Sequence, residues 1–342
     1  MAVQSYGSIS GYTPGSVTNS YGDISPRTAV YAQKEFLRRA LPYLVLEKFG
    51  QGKPIPERSS KVTKFRRYEA LSPAINVLSE GVTPTAKQLT VTDVTATLTQ
   101  YGDLITISDV VMDTHEDPVL QEAVAVLGEQ AAQMIETVRF NVIKAGTSVQ
   151  YANGAARNAV NTAITITAQR KVTRALKRQN ARPITSVIRS TPSYGTENVA
   201  ASFIALCHPD LESDLRNITQ FVPTERYGTL TPYENELGKM EDCRYLTSTI
   251  FQPWADAGGA KGSMLSTSGT SADVYPIIYL ARDAFGIVPL KGLNSITPTV
   301  VNPKPSDSDP LAQRGHVGWK SMQTAVILND AFMVRLEVAV TA

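Results

Sequence analysis

Residues 88–103, QLTVTDVTATLTQYGD, have the pattern of a long β-strand in which neither face is apolar. The stretch has no proline and is rich in threonine and valine, which favour β-structure. Both alternate sets of side chains mix apolar residues with Thr, Asp or Gln, whereas an ordinary half-buried strand alternates more cleanly. The pattern therefore predicts a strand whose faces must be covered by something outside its own core.

A second polar, β-prone run, KVTKFRRYEAL at 61–71, precedes this strand. The segment between the two runs, 72–87, contains two prolines and one glycine and predicts a long tip instead of a tight turn. Together the two runs predict a β-hairpin with an extended tip. A hairpin without a dry face is not stable alone. We therefore expect it to project from its own domain and to be covered by another copy of the chain.

The first part of the chain predicts an arm followed by a helix. Residues 1–25 are rich in Gly, Ser, Tyr and Thr and nearly uncharged, so they cannot bury enough apolar surface to order themselves. A helix is predicted from Pro26, because Ser25 is a good N-cap and proline fits the first helical position. Pro42 should break or kink this helix, and Gly50 ends the segment.

The longest predicted helix covers 118–145. Asp117 is a good N-cap before Pro118, and Gly146 is a good stop signal. Apolar residues at three- and four-residue spacing predict one buried face along the helix. The residues predicted on this face are Leu120, Ala123, Val124, Leu127, Ala131, Met134, Ile135 and Val138. The β-rich surroundings favour a single spine on which strands pack over a coiled coil.

The second half of the chain mixes short strand and helix patterns. Residues 160–290 predict one α+β domain with loops. The predicted strands are 163–168, 184–191, 202–209 and 275–281, and the predicted helical segments are 169–182 and 210–217. The chain closes with two β-runs within 317–341 around a turn at Asn329 and Asp330.

Composition narrows the classes of function. The chain has 342 residues, 42% of them hydrophobic and 19% charged, and its formal net charge is +2. This overall charge does not indicate a nucleic acid or a membrane as partner. Cys207 and Cys243 are read as reduced thiols, too far apart for a CxxC site. With no apolar run near the ~20 residues of a membrane span and no signal-peptide pattern, we expect a protein used inside a cell or released by lysis.

The sequence carries no catalytic, cofactor-binding or metal-binding motif, and we expect none of these functions. His115, His208 and His316 are widely separated and lack the spacing of metal ligands. Cys207 and His208 are neighbours in a predicted strand, so their side chains point to opposite faces and do not form a nucleophile pair. The missing motifs favour a structural protein over an enzyme.

Two segments concentrate positive charge. Residues 34–67 carry ten Lys and Arg against three Glu, which indicates either a solvated or subunit-facing surface or a face exposed to a polyanion. The predicted basic helix is the better candidate for a polyanion, although it lacks interleaved aromatic residues for base stacking. Its candidate residues are Arg170, Lys171, Arg174, Lys177 and Arg178.

The order of these parts, together with several segments, resembles the major capsid proteins of tailed bacteriophages with the Hong Kong 97 type of fold. LSEGVTPTAKQLTV (78–91) is similar to the tip of the extended loop of that family, and 109–146 is similar to its spine helix. ENELGKMEDCRYLTST (234–249) and YLARDAFGIVPL (279–290) resemble strands of its axial domain. The closing segment 309–339 is similar to that of the subgroup related to podoviruses such as phage N-four. The resemblance covers about 26–342.

The resemblance implies an α+β Hong Kong 97 type capsid fold with an N-terminal arm, an extended β-hairpin loop, a long spine helix, a peripheral domain and an axial domain. The implied parts are the arm and first helix (1–60), the hairpin loop (61–108), the spine helix of the peripheral domain (109–150), the axial domain (151–290) and the closing β-segment of the peripheral domain (291–342).

The resemblance also implies a structural major capsid protein that self-assembles into hexamers and pentamers of an icosahedral phage head around double-stranded DNA. The hairpin loop would lie over the adjacent subunit, and the basic helix would face the lumen and contact DNA without sequence preference. The residues expected at subunit contacts are Glu80, Val82, Thr92, Thr95 and Thr97.

The expected partners, besides further copies of the chain, are a portal protein, a separate scaffolding protein, a decoration protein and packaged DNA, with no membrane. The expected location is the virion, after assembly in the host cytoplasm. The chain lacks a recognisable Lys/Asn/acid signature of covalent crosslinking. The rival interpretation is an encapsulin-like compartment around a cargo enzyme. A stand-alone enzyme is the alternative from a different class, and size-exclusion chromatography would show it as a small oligomer.

Overall fold

The computed structural model of the chain describes residues 44–69, 71, 73, 75, 77, 80–81, 83, 86–110, 119–189, 195–228, 231–291, 296–301, 305 and 310–342. The predicted arm, the predicted helix start at Pro26 and the kink at Pro42 lie outside these residues, as does the predicted helix start at Asp117 and Pro118. Helices and sheets are both present, which confirms the predicted α+β class. The α-helices include α1 (Val119–Lys144), α2 (Ile166–Arg178) and α3 (Glu212–Arg216).

Helix α1 confirms the predicted spine. It has 26 residues and a length of about 39 Å at 1.5 Å per residue. Val124, Leu127, Ala131 and Ile135 are buried as predicted. Ala123, Met134 and Val138 are half-buried, and the side chain of Leu120 lies outside the description.

The larger sheet has eight strands in the order β5-β15-β11-β7-β10-β9-β8, with β6 paired to β7. Its strands are β5 (Val149–Tyr151), β6 (Ile184–Arg189), β7 (Gly195–Cys207), β8 (Phe221–Pro223), β9 (Glu236–Met240), β10 (Cys243–Thr247), β11 (Tyr275–Leu280) and β15 (Met333–Val338). Pairing is parallel between β7 and β10 and between β5 and β15, and antiparallel elsewhere.

The two faces of this sheet bury different helices. Alternate residues of β7 belong to different cores because successive side chains of a strand point to opposite faces. Phe203 and Ala205 pack with Val172 and Leu176 of α2 on one face. Ile204, Leu206, Ile278 and Leu280 line the other face, where they pack with Phe140 and Ile143 at the end of α1 and with Leu46 and Phe49. Helices α1 and α2 therefore lie on opposite faces of the same sheet.

The prediction of a strand at 163–168 is wrong, because Ile166 begins helix α2. Thr165 is the N-cap residue, and its hydroxyl oxygen accepts a hydrogen bond from the backbone N–H of Ala168 at 3.2 Å. The alternation in AITITA resembles a strand, but a threonine that caps the following turn favours a helix start at the same place. The predicted helical segment 169–182 is correspondingly displaced, and α2 ends at Arg178.

The second sheet has five strands in the order β1-β12-β14-β13, with β4 paired to β14. Its strands are β1 (Gln51–Gly52), β4 (Thr99–Ser108), β12 (Phe285–Pro289), β13 (Ile296–Val301) and β14 (Arg314–Ile327). Helix α1 packs on this sheet, where Val124 and Leu127 join Val317 and Trp319 in one core. The spine therefore touches both sheets, the five-stranded one along its first half and the eight-stranded one at its end.

The predicted hairpin exists, but its second strand is shorter than predicted. Strands β2 (Val62–Tyr68) and β3 (Val91–Thr97) form an antiparallel ribbon in which Val62 pairs with Thr97. From Thr99 onward the chain leaves the ribbon as β4 and pairs with β14 instead. The expectation of one strand over 88–103 is therefore wrong: the stretch serves two different sheets on either side of Leu98.

The expectation that neither ribbon strand has a dry face is wrong at the base of the ribbon. Phe65, Ala96 and Leu98 are buried against Ile55 and Val288 of the same chain. Phe65 pairs with Val94, so these two apolar side chains lie side by side on the face of the ribbon that also carries Ala96. The base is thus fixed to the subunit from which the ribbon projects.

The predicted division into axial and peripheral parts does not follow the boundaries of the sheets. Strand β12, within the predicted axial segment 151–290, belongs to the five-stranded sheet. Strand β15, within the predicted closing segment 291–342, belongs to the eight-stranded sheet. The two β-runs of the closing segment are present as β14 and β15, on either side of the predicted turn at Asn329 and Asp330.

Candidate functional site

The described part of the chain holds no group of three or more His, Cys, Asp or Glu side chains placed to bind a metal ion. Cys207 and Cys243 are buried free thiols, and burial raises the pKa of both. Cys207 Sγ lies 3.5 Å from the carbonyl oxygen of Leu246, whereas His208 Nδ1 accepts from the backbone N–H of Asp210. These two neighbours therefore have separate partners. No described helix is both long and apolar enough to cross a membrane.

The outer part of the β2–β3 ribbon is held by polar pairs across its strands. Arg66 donates two hydrogen bonds to the carboxylate of Asp93, at 2.9 and 3.2 Å. The hydroxyls of Thr90 and Thr92 donate to the carboxylate of Glu69, which lowers the pKa of Glu69. Such cross-strand pairs stabilise an exposed ribbon and fix its register.

The residues predicted at subunit contacts lie on this ribbon or its tip. Glu80, Thr95 and Thr97 are exposed, and Val82 lies outside the described residues. Thr92 is half-buried, and its hydroxyl is already used by Glu69 within the same chain.

Sequence reasoning missed the most prominent feature of the tip, its exposed apolar side chains. Ile75 is 92% exposed and Val77 is 89% exposed. Three apolar residues that flank the tip, Tyr68, Leu71 and Leu89, are exposed as well. None of the described residues covers this apolar surface, and isolated proteins rarely present apolar surface of this extent without a partner.

The five candidate residues of the basic helix α2 divide into two groups. Arg170 donates to Glu241 Oε1 at 2.9 Å, and Lys177 forms an ion pair with Asp242. Glu241 and Asp242 form the turn between β9 and β10, so this pair of contacts fixes α2 to the sheet.

The other group of basic residues lines a cavity. Lys171, Arg174 and Arg178 surround a space of about 330 Å³ together with Gln150, Tyr151 and Ala175. Gln150 and Tyr151 belong to β5, the edge strand of the eight-stranded sheet. The structure therefore brings three of the five predicted cations together and uses the other two as structural anchors.

Three of the basic residues in the described part of the segment 34–67 have partners within the chain. Lys48 forms an ion pair with Glu234, and Arg66 pairs with Asp93. Lys53 lies 5.2 Å from the ring centre of Phe65. These contacts support a structural role for the three residues, and residues 34–43 lie outside the description.

A buried carboxyl on the spine was also missed from the sequence. Glu136 is fully buried, and its Oε1 accepts hydrogen bonds from the backbone N–H groups of Val45, at 3.0 Å, and Leu46, at 2.7 Å. Burial raises the pKa of Glu136 to about 7, against the opposing effect of Arg139. Arg139 in turn donates to Gln323 at 3.2 Å. A charged pair at three-residue spacing beside an apolar helix face was the available signal.

The end of the spine is fixed by a second polar cluster around Trp254. The guanidinium carbon of Arg157 lies 3.6 Å from the centre of the indole ring, and Lys144 Nζ lies 4.0 Å from it. Arg157 donates two hydrogen bonds of 2.8 Å to Glu337 of β15. Arg335 donates to the carbonyl oxygen of Gly146 just beyond the helix end. This cluster joins the end of α1 and Trp254 to β15.

Comparisons with known proteins agree with this architecture. A family model described as "Phage capsid protein" matches residues 91–336. Among solved structures, the capsid of Ralstonia phage GP4 is 10% identical, with a TM-score of 0.66 over 87% of this chain and 91% of that chain. The capsid of cyanophage P-SCSP1u is 16% identical, with a TM-score of 0.58 over 87% and 88%. The SrpI encapsulin of Synechococcus elongatus PCC 7942 is 8% identical, with a TM-score of 0.55 over 90% and 91%. No curated protein sequence matches the chain.

The family match spans more than half of the chain, so the chain belongs to the phage capsid protein family. The structural matches show that it has the fold of the Hong Kong 97 type capsid subunits, as its sequence predicted. Its function is that of a major capsid protein, a structural subunit of a bacteriophage virion.

Proposed function

We propose that the chain assembles with further copies of itself into hexamers and pentamers of an icosahedral head that encloses double-stranded DNA. Membership of the capsid family supports the homo-oligomeric part of this proposal. The observation that carries it is the β2–β3 ribbon, whose base is buried in its own subunit and whose tip presents exposed Ile75 and Val77. A second subunit covering the tip would remove this apolar surface from water.

Deletion of the tip, residues 72–86, tests this role. A short Gly-Ser linker in its place keeps β2 and β3 joined. We expect a soluble subunit with an unchanged thermal unfolding midpoint, since the buried base at Phe65 and Leu98 remains. We also expect no closed shells in electron micrographs. A deletion that unfolds the subunit would place the tip in the core and contradict the proposal.

A matched pair of substitutions separates the tip from exposed apolar surface in general. Ile75→Ser with Val77→Ser changes two exposed tip residues, whereas Leu311→Ser changes a residue that is 75% exposed outside the ribbon. We expect the tip variant to assemble poorly and the Leu311 variant to form shells. Normal shells from the tip variant would show that these side chains are not covered by a neighbour.

The remaining partners follow from the same role. A head that encloses DNA requires a portal for packaging, and a separate scaffolding protein and a decoration protein are the further partners we propose. Assembly in the host cytoplasm is proposed with them. Contacts between the wall and DNA would be nonspecific and screened by salt, because a wall that bound DNA tightly would stall packaging. The axial domain (151–290) and the peripheral parts around it remain a proposed division.

The second candidate is an encapsulin-like compartment, favoured by the similarity to the SrpI encapsulin over 90% of this chain. The two candidates differ in what the shell encloses. Genes for a portal and a terminase beside this gene support the phage head, whereas a gene for a cargo enzyme there would support the compartment. Nuclease-protected DNA in shells purified from a lysate would decide in favour of the head.

A further inference from the structure

The basic helix α2 carries two rows of cations with different surroundings. Arg170 and Lys177 are paired with Glu241 and Asp242. Lys171, Arg174 and Arg178 are exposed, and none of the three has an acidic partner in the described part of the chain. A cation that has no acidic partner among the described residues of its subunit is available to an anionic ligand.

The three cations without a described acidic partner form a single row along α2. Lys171, Arg174 and Arg178 are spaced three and four residues apart, so they lie on one face of α2. The rise of 1.5 Å per residue separates the first from the last by about 10 Å along the helix axis. Three charges at this spacing match a linear polyanion better than a single compact anion.

The other wall of the cavity suits the same ligand. Gln150 and Tyr151 of β5 face the row across the space of about 330 Å³. The space is an open groove and not an enclosed cavity, so a polymer can lie along it. The side chains that line the cavity include no acidic residue to compete for the cations. An amide and an aromatic ring can contact sugar and base atoms, while guanidinium groups bind phosphate oxygens in pairs.

We propose that this cavity is a binding site for the sugar–phosphate backbone of a nucleic acid, with Lys171, Arg174 and Arg178 as the phosphate ligands. The inference rests on the proposed enclosure of DNA for the biological source of the phosphates. It assigns the contact to one row of α2 and excludes the row of Arg170 and Lys177, although all five side chains were equal candidates from the sequence.

Binding of a short fluorescent duplex DNA to unassembled subunits, measured by anisotropy across a salt series, tests the assignment. The pocket variant is Arg174→Gln with Arg178→Gln, and the matched control is Arg170→Gln with Lys177→Gln. Both remove two positive charges from the same helix. Thermal unfolding of both variants shows whether each subunit is folded.

We expect the pocket variant to lose two phosphate contacts. The slope of log K against log salt concentration should fall by about 2, and the Kd at 0.1 M salt should rise roughly 60-fold, since each contact contributes a factor of about 8 there. The control should keep the slope of the unchanged chain. Equal weakening in both variants would show a general effect of surface charge and overturn the assignment.

Two further results would also overturn the proposal. The first is a pocket variant that binds DNA like the unchanged chain. The second is an unchanged chain that binds poly-glutamate but not DNA, together with a pocket variant that has lost this binding. The site would then serve an acidic protein segment. Shell formation by the same variants is scored separately in electron micrographs. An unchanged chain that forms normal shells but does not bind DNA contradicts this inference alone, whereas an unchanged chain that forms no shells contradicts the proposed assembly.

Discussion

The buried carboxyl of Glu136 makes the stability of the folded chain depend on pH, because it holds the segment at Val45 and Leu46 against the spine helix. Its Oε1 accepts the backbone N–H groups of Val45 and Leu46, just before α1 meets the eight-stranded sheet. Glu136→Gln is the informative substitution, because the amide oxygen keeps these two hydrogen bonds and the side chain no longer ionises.

The sign and size follow from the pKa. Burial raises the pKa of Glu136 from 4.5 to about 7, while Arg139 lowers it and Glu47 raises it. Between these two pH values the folded chain holds a proton that the unfolded chain releases. The free energy of unfolding therefore falls as the pH rises from 4.5 to about 7, by about 3 kcal/mol in all, and is level above.

Urea unfolding of unassembled subunits at a series of pH values measures this effect. We expect the unchanged chain to lose stability across the range, and Glu136→Gln to lose about 3 kcal/mol less. Glu122→Gln, a change at an exposed carboxyl on the same helix, is the control and should follow the unchanged chain. Fixed protein concentration is essential, because association changes apparent stability.

Parallel curves for Glu136→Gln and the unchanged chain would refute the reasoning. They would mean that Glu136 has an ordinary pKa in the folded state, so that Arg139 compensates fully for burial. A larger loss of stability at low pH in the unchanged chain than in the variant would reverse the sign, and would show a depressed pKa caused by a tight ion pair with Arg139.

Leu127→Ala should lower the free energy of unfolding by about 2–5 kcal/mol, because Leu127 is 2% exposed. Val126→Ala, at a neighbouring position that is 51% exposed, should change the free energy of unfolding by less than about 0.5 kcal/mol. Denaturant unfolding of both variants checks this, and equal losses would place Val126 in the core. A Cβ on Gly258 would lie 2.3 and 2.7 Å from two backbone carbonyl oxygens, so Gly258→Ala should destabilise by about 1–3 kcal/mol. Gly52→Ala, with no atom within 4 Å of its Cβ, should leave the thermal midpoint unchanged, and an unchanged midpoint in both variants would show that the close approach at Gly258 is relieved without cost.

Long elements with a clear local period could be predicted from the sequence. The buried face of α1 follows from apolar residues at three- and four-residue spacing, and Val124, Leu127 and Ile135 are buried. Strand β11 is apolar throughout and is buried throughout, as expected for an inner strand. The turn between β14 and β15 follows from Asn329 and Asp330, where the Asn329 side chain accepts from the N–H of Ala331.

Features that depend on distant partners could not be predicted. The stretch 88–103 is uniform in composition, yet β3 pairs with β2 and β4 pairs with β14, more than two hundred residues later. Nothing local to Leu98 marks this change of partner. Thr165 shows a local conflict instead, since its alternating neighbours favour a strand while its own hydroxyl caps a helix.

For the candidate site, the sequence shows the basic residues of α2 but not their arrangement. All five cations of α2 are visible in the sequence, but their division depends on the acidic turn at Glu241 and Asp242, which only the fold brings to Arg170 and Lys177. The cavity also depends on β5, because the strand order of the sheet places its Tyr151 beside α2.

The position of β15 has a consequence for synthesis. This strand lies between β5 and β11, and both neighbours leave the ribosome before it does. Until residues 333–338 have been translated, β11 keeps an open edge of unpaired N–H and C=O groups. The eight-stranded sheet is therefore completed only after residues 333–338 have been translated. A chain terminated before residue 333 lacks an inner strand of this sheet, and the edges of β5 and β11 that β15 would join stay apart.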